Sequence, residues 1–118
     1  MGSAFRNLIA WQKSYELSLQ IYKTTALFPK SEQYSLVDQM RRAVVSVSSN
    51  IAEGSGKGSN LDYSRFLKIA RGSSLELESQ ILIAEGLGFL DKEKSLSLQD
   101  SCNEIQRILN TLIQKYKE

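Results

Sequence analysis

Gly54-Ser55-Gly56-Lys57-Gly58-Ser59 is the stretch of this chain whose residue types and spacing most suggest ligand chemistry. Glycine N–H groups, a lysine and the N-terminus of a following helix can together hold an anion. A nucleotide-binding loop needs Gly-x4-Gly-Lys-Ser/Thr after a strand, whereas Lys57 precedes a glycine and the residues before it follow a helical pattern. Two readings remain. Either Lys57, with Arg41, Arg65, Lys68 and Arg71, forms a basic surface that contacts phosphates such as those of RNA, or the segment is an ordinary solvated connection between helices.

A second constellation lies just upstream. Gln39, Arg42, Ser46, Ser49 or Asn50, and Glu53 recur at three- and four-residue steps and make a polar stripe on a helix. The stripe reads either as a binding surface or as an interhelical hydrogen-bond network that pairs Arg42 with Glu76. A buried guanidinium requires a carboxylate and full satisfaction, which favours the network. Arg41 falls on another face, near Asp38, as a solvated pair. Trp11, Tyr15 and Tyr22 have the chemistry to stack on unpaired bases, but their helical spacing favours core or subunit packing.

Catalysis finds little support. The chain has no histidine and a single cysteine, which removes the commonest general base and excludes thiolate metal clusters. Glu76 and Glu78 sit on different faces of one helix, and the Glu-x-x-His motif of carboxylate di-metal bundles is missing. The expectation is a protein that is not an enzyme, with no catalytic residues, metal, cofactor or small-molecule substrate.

The elements that must position these residues are helical. Leu8, Trp11, Tyr15, Leu19, Tyr22 and Ala26 predict a first helix over about residues 6–27, ended by Phe28-Pro29. A second spans about 32–53, capped by Ser31, with Leu36, Met40, Ala43, Val44, Val47 and Ile51 inward. Gly54, Gly56 and Gly58 read as a flexible turn before a third helix over about 60–87, opened by Ser59 and Asp62 and facing inward through Phe66, Ala70, Ser73, Leu77, Ile81, Ala84 and Gly88. Gly72 lies inside it, where close helix approach is one reason for a glycine. Asp91 caps a fourth helix over about 92–117, with Leu98, Cys102, Ile105, Leu109, Leu112 and Tyr116 in its stripe. At 118 residues this is one domain, all-α, an antiparallel up-and-down four-helix bundle.

A net charge of +2 does not by itself announce a nucleic-acid binder. The charges are nonetheless segregated: basic between Arg41 and Gly72, acidic from Ser73 to Glu104. Such a split steers an anionic partner to one end or aligns neighbouring subunits. The N-terminus lacks a long apolar run and no stretch reaches the roughly 18–20 apolar residues of a membrane span. The lone Cys102, at apolar helical spacing, reads as a packed thiol in a reducing cytoplasm.

Taken together, Trp11-Gln12-Lys13, Ile21-Tyr22, Phe28-Pro29, Gln39, Arg41-Arg42-Ala43, Ser49-Asn50-Ile51-Ala52-Glu53-Gly54, Phe66-Leu67, Gly72-Ser73 and Glu76-Leu77 resemble the four-helix proteins encoded in intervening sequences of bacterial 23S ribosomal RNA genes. Similar proteins include the accessory variability determinant of diversity-generating retroelements, a more basic subunit that works with a reverse transcriptase and RNA. The resemblance implies a left-handed four-helix bundle that assembles into a ring-like homopentamer and has no known catalytic activity. Ser48 stands where the family usually has proline, and Ser35 where it has glycine. The expected function is a non-enzymatic homo-oligomeric scaffold that contacts RNA or an RNA-handling protein. The alternative is a protein–protein adaptor whose acidic third and fourth helices engage a basic partner.

Overall fold

The computed structural model describes residues 4–117. Four helices carry it: α1 (Ile9–Thr25), α2 (Leu36–Ser55), α3 (Asn60–Gly86) and α4 (Lys92–Tyr116), with short 3-10 turns at Ala4–Asn7 and Lys30–Glu32. Each helix packs on its neighbour in sequence and α1 closes on α4, while the backbones of the diagonal pairs stay apart. Ser46 of α2 meets Ser73 of α3, and eight residues on, Gly54 meets Phe66, so those two helices run antiparallel. Lys13 with Glu104 and Gln20 with Lys94 show the same for α1 and α4. The result is an antiparallel up-and-down four-helix bundle.

The helix ends follow local chemistry. Ser59 Oγ accepts from the Asp62 N–H at 3.1 Å, and Asp91 Oδ1 from the Lys94 N–H at 2.7 Å, each satisfying an orphan donor of a first turn. At the end of α3 the Phe89 N–H reaches Ala84 O and the Gly88 N–H reaches Glu85 O, both at 2.9 Å. This Schellman geometry needs a left-handed residue, supplied by Gly88 at φ 83°. Ser31, expected to cap the second helix, lies instead in the 3-10 turn. The helix starts at Leu36 behind Ser35, with no side-chain cap.

The core is continuous through all four helices. All the residues expected to face inward on α2 are buried, as are Leu98, Cys102, Ile105 and Leu109 on α4 and Ala70, Leu77, Ile81 and Ala84 on α3. On α3, Phe66 and Ser73 are half-buried and Gly88 is exposed.

The first helix is the exception: its buried face is Ala10, Ser14, Leu17, Ile21, Thr24 and Thr25. Tyr15, Leu19 and Tyr22, on the stripe expected to serve core or subunit packing, are 44–49% exposed and so lie outside the core. The inner face is legible only in hindsight, because its hydroxyls look polar in sequence. Ser14 Oγ donates to Trp11 O at 2.9 Å and Thr25 Oγ1 to Ile21 O at 2.7 Å. Hydroxyls bonded to their own helix can be buried at little cost, and their small size lets α1 seat closely.

Two glycines also reverse expectation. Gly54 belongs to the last turn of α2 rather than to a flexible loop, and it is buried. A Cβ there would stand 2.6 Å from Phe66 Cβ, so α2 and α3 approach tightly at Gly54. Gly72, expected at a close helix contact, has nothing within 4 Å of where its Cβ would be. Gly54→Ala is therefore expected to lower stability by about 1–3 kcal/mol through overpacking. Gly72→Ala, which gains helix propensity against open space, should raise it by up to about 1 kcal/mol. Urea unfolding of the two variants beside the parent checks both signs.

Candidate nucleic-acid interface

The two adjacent arginines of α2 exchange the roles expected of them. Arg42 pairs with Asp38 (Nε–Oδ2 3.3 Å) and not with Glu76, and its side chain is 80% exposed. Arg41 is the one held in place. Its Nε donates to Thr25 Oγ1 at 3.0 Å, its Nη2 donates to the Tyr22 carbonyl at 3.2 Å, and its guanidinium carbon lies 4.5 Å from the Tyr22 ring centroid. The side chain thus ties α2 to the C-terminal turn of α1, where a cation also suits the helix dipole.

The expected polar network is reduced to a smaller bridge. Asn50 donates to Ser46 O at 2.8 Å and to Ser46 Oγ at 3.0 Å, and Ser46 Oγ meets Ser73 Oγ at 2.8 Å. Gln39, Arg42 and Glu76 line an open, solvated groove over this bridge instead of a buried cluster, because their long side chains reach water more cheaply than they pair. Glu53 turns to Lys57 at 3.6 Å.

A second polar bridge, unforeseen, joins α3 to α4. Gln106 Nε2 donates to Ser74 Oγ at 3.1 Å and to Glu78 Oε1 at 3.0 Å. Beside it Cys102 is buried, and burial foremost, with the nearby Glu78 charge, pushes its thiol up to about 12 against the small opposing effect of Ser74.

Arg41, Lys57, Arg65, Lys68 and Arg71 do not form one surface. Arg41 lies about 20 Å along α2 from the helix end that carries Lys57. Lys57 and Arg65 are each paired with an acid of their own segment, Glu53 and Asp62. The antiparallel topology does something the linear sequence hides: it lays the second half of α4 beside the first half of α3. Tyr63 and Tyr116 lie in ring contact at 4.7 Å between centroids, and Arg71 Nη1 donates to Asn110 Oδ1 at 2.9 Å. Arg107, Lys115 and Lys117 thereby join Lys57, Arg65, Lys68 and Arg71 in one half of the bundle; among the described residues Glu53 and Asp62 are the acids toward its end, and Glu78 and Glu104 stand near Arg107 at mid-length. Among the described residues, no ion pair engages Lys68, Arg107 or Lys115. Pairing each α4 residue with its antiparallel counterpart on α3 was the signal that would have found them.

Large apolar side chains are exposed on two separate edges. One runs along α1 through Tyr15, Leu19 and Tyr22 and continues to Val45 on α2. The other includes Leu75 and Leu82 on α3 and Leu96 on α4. Trp11 and Tyr15 stack at 5.3 Å along the first edge. Among the described residues, no three His, Cys, Asp or Glu side chains gather into a metal-binding group, and no helix is long and apolar enough to cross a membrane.

An antiparallel four-helix bundle with a basic end and two exposed apolar edges defines the class of protein. The chain belongs to the 23S rRNA-intervening sequence protein family, whose model matches residues 6–111. Its fold is similar to the crystal structure of a protein of unknown function from the S23 ribosomal protein family of Bacteroides thetaiotaomicron VPI-5482. The two share 23% identity and a TM-score of 0.81 over 90% of this chain and 99% of that one. No curated protein matches the sequence.

The swapped arginines make a direct test. Arg41→Ala should cost about 1.5–3 kcal/mol by losing charge-assisted bonds to Thr25 and Tyr22, whereas Arg42→Ala should stay within about 0.5 kcal/mol; urea midpoints of the two variants decide between them. The Cys102 thiol supplies another. Its folded pKa lies above its ordinary value of 9.0, so the stability it contributes is fully present below pH 9 and falls as pH rises toward about 12. A disulfide reagent near pH 8 is expected to modify Cys102 only as fast as the protein opens, and rapid modification of the folded protein would contradict the burial.

Proposed function

We propose that this chain is a non-enzymatic, self-associating four-helix scaffold whose basic end binds RNA. The observation that carries the reading is the convergence of α3 and α4 cations in one half of the bundle, in a chain whose net charge is only +2. A local excess of fixed cations attracts a polyanion even when the whole molecule is nearly neutral. The apolar edges support self-association, since monomeric proteins rarely expose such contiguous surface. They differ in residues and belong to different helix pairs, so the α1 edge of one copy meets the α3–α4 edge of the next in a heterologous contact, the type that closes into rings. The family resemblance sets the expected number at five copies. Assembly then multiplies weak phosphate contacts into one array. The cytoplasm is the expected location.

The protein-adaptor alternative draws on the acidic side chains of α3 and α4, and a complex that survives nuclease treatment favours it. Light scattering with and without structured RNA, at low and moderate salt, tests both parts of the reading. The protein alone should run as a multiple of 13.3 kDa, and Tyr15→Glu or Leu82→Glu should each release monomers. RNA should add mass at low salt and be lost steeply as salt rises, with Lys68→Glu plus Arg107→Glu weakening binding about tenfold or more. A monomer that ignores RNA defeats the proposal.

A further inference from the structure

The aromatic rings at the basic end say what part of an RNA this surface can read. A base-stacking platform needs an open ring face. Tyr63 and Tyr116 are turned toward each other, and Lys115 Nζ lies 5.3 Å from the Tyr116 centroid. The Tyr63 hydroxyl is buried, and burial foremost, then Tyr116, raises its pKa above the ordinary phenol value. Phe66 is pressed on Gly54 and carries Lys57 Nζ 5.3 Å from its centroid. Phe5 packs edge-on against Trp11 at 5.0 Å and borders an open hollow of about 710 Å³, but the charged pair lining that hollow, Glu53 with Lys57, is neutral overall. The well-exposed tyrosines, Tyr15, Tyr22 and Tyr34, lie on the α1 edge or in the connection between α1 and α2.

The cations are arranged the other way, on the open surface. Arg71 is pinned to Asn110 at 2.9 Å, which sets α3 and α4 in register. Lys68 is one turn away on α3 and Arg107 one turn away on α4, both exposed. Because α3 and α4 are antiparallel, Lys68 and Arg107 step away from that contact in opposite directions, about 4.5 Å each, and packed helix axes stand about 8–10 Å apart, so the three charges span roughly 13 Å. A duplex presents one phosphate charge per about 1.7 Å of its axis, about twice the density of one strand, and holds those charges stiffly. A flexible strand must be ordered on the patch with no stacking to offset that cost.

Resting on the RNA-binding reading above, we infer that the Lys68–Arg71–Arg107 patch takes the sugar–phosphate backbone of double-stranded RNA, without regard to sequence, and does not read unpaired bases. The test uses the full chain and fluorescence anisotropy with two unrelated duplex RNAs of roughly 20 base pairs and their separate strands. Salt is varied from roughly 50 to 200 mM. The two duplexes should bind within about twofold of each other and about tenfold tighter than either strand, with a log–log salt slope of at least about −3 in magnitude. Lys68→Gln and Arg107→Gln should each reduce that slope by about 1 and leave the ratio between duplexes unchanged, with circular dichroism reporting an intact helical fold. Single strands that bind as tightly as duplexes, a strong preference between the duplexes, or a shallow slope overturns the inference while RNA binding itself stands. Absence of binding to all four RNAs overturns the underlying reading and this inference with it.

Discussion

The tight approach of α2 to α3 at Gly54 is the constraint from which the arrangement of the molecule follows. With a Cβ excluded by Phe66 at 2.6 Å, the two helices close to a distance that no larger residue permits. The turn between them is only Gly56–Ser59, so there is little slack to shift one helix along the other. That fixes the register in which Ser46 meets Ser73 and, at the same end, seats Lys57 over Phe66. The position of α3 then dictates where α4 lays its C-terminal half. A basic end thus follows from a packing constraint in a neighbouring turn, with the cations arriving from segments about forty residues apart in sequence.

The helices and most of their inner faces were legible because α2 and α4 each carry a single apolar stripe, and a stripe with no rival has one way to face. The first helix carries two. Its aromatic and leucine stripe is the more hydrophobic by residue type, yet the small, hydroxyl-bearing stripe from Ala10 to Thr25 went inside, where Ser14 and Thr25 spend their donors on their own carbonyls. Periodicity reports that a face is apolar, and cannot report which of two such faces the neighbouring helices will cover. The outward aromatic stripe is intelligible once burial is allowed to come from outside the monomer.

The candidate site was legible in part for a related reason. Adjacent residues such as Arg41 and Arg42 differ by about 100° around the helix, and only the neighbouring helix decides which of them is useful. Arg41 points at the end of α1, where the Tyr22 carbonyl, the Thr25 hydroxyl and the Tyr22 ring are within reach, so it became the structural arginine. Arg42 points at water. The basic residues of α4 went unnoticed since they are interspersed with polar residues over ten positions and form no run; their meaning is topological.

Function then divides along physical lines. The polar bridges between helices, Asn50–Ser46–Ser73 and Ser74–Gln106–Glu78, are short and bonded to one another, and they align helices. The features that cost free energy in the folded monomer, exposed apolar side chains and neighbouring like charges, lie outside. Apolar edges that lower stability in water and like charges that repel across one end of the bundle are both destabilising in an isolated monomer. A sequence that retains both costs in one small domain makes physical sense if the edges are covered by further copies and the cations by a polyanion. In that arrangement the two would be coupled, because copies packed along the edges would bring their basic surfaces closer, raising a repulsion that an anionic partner would relieve.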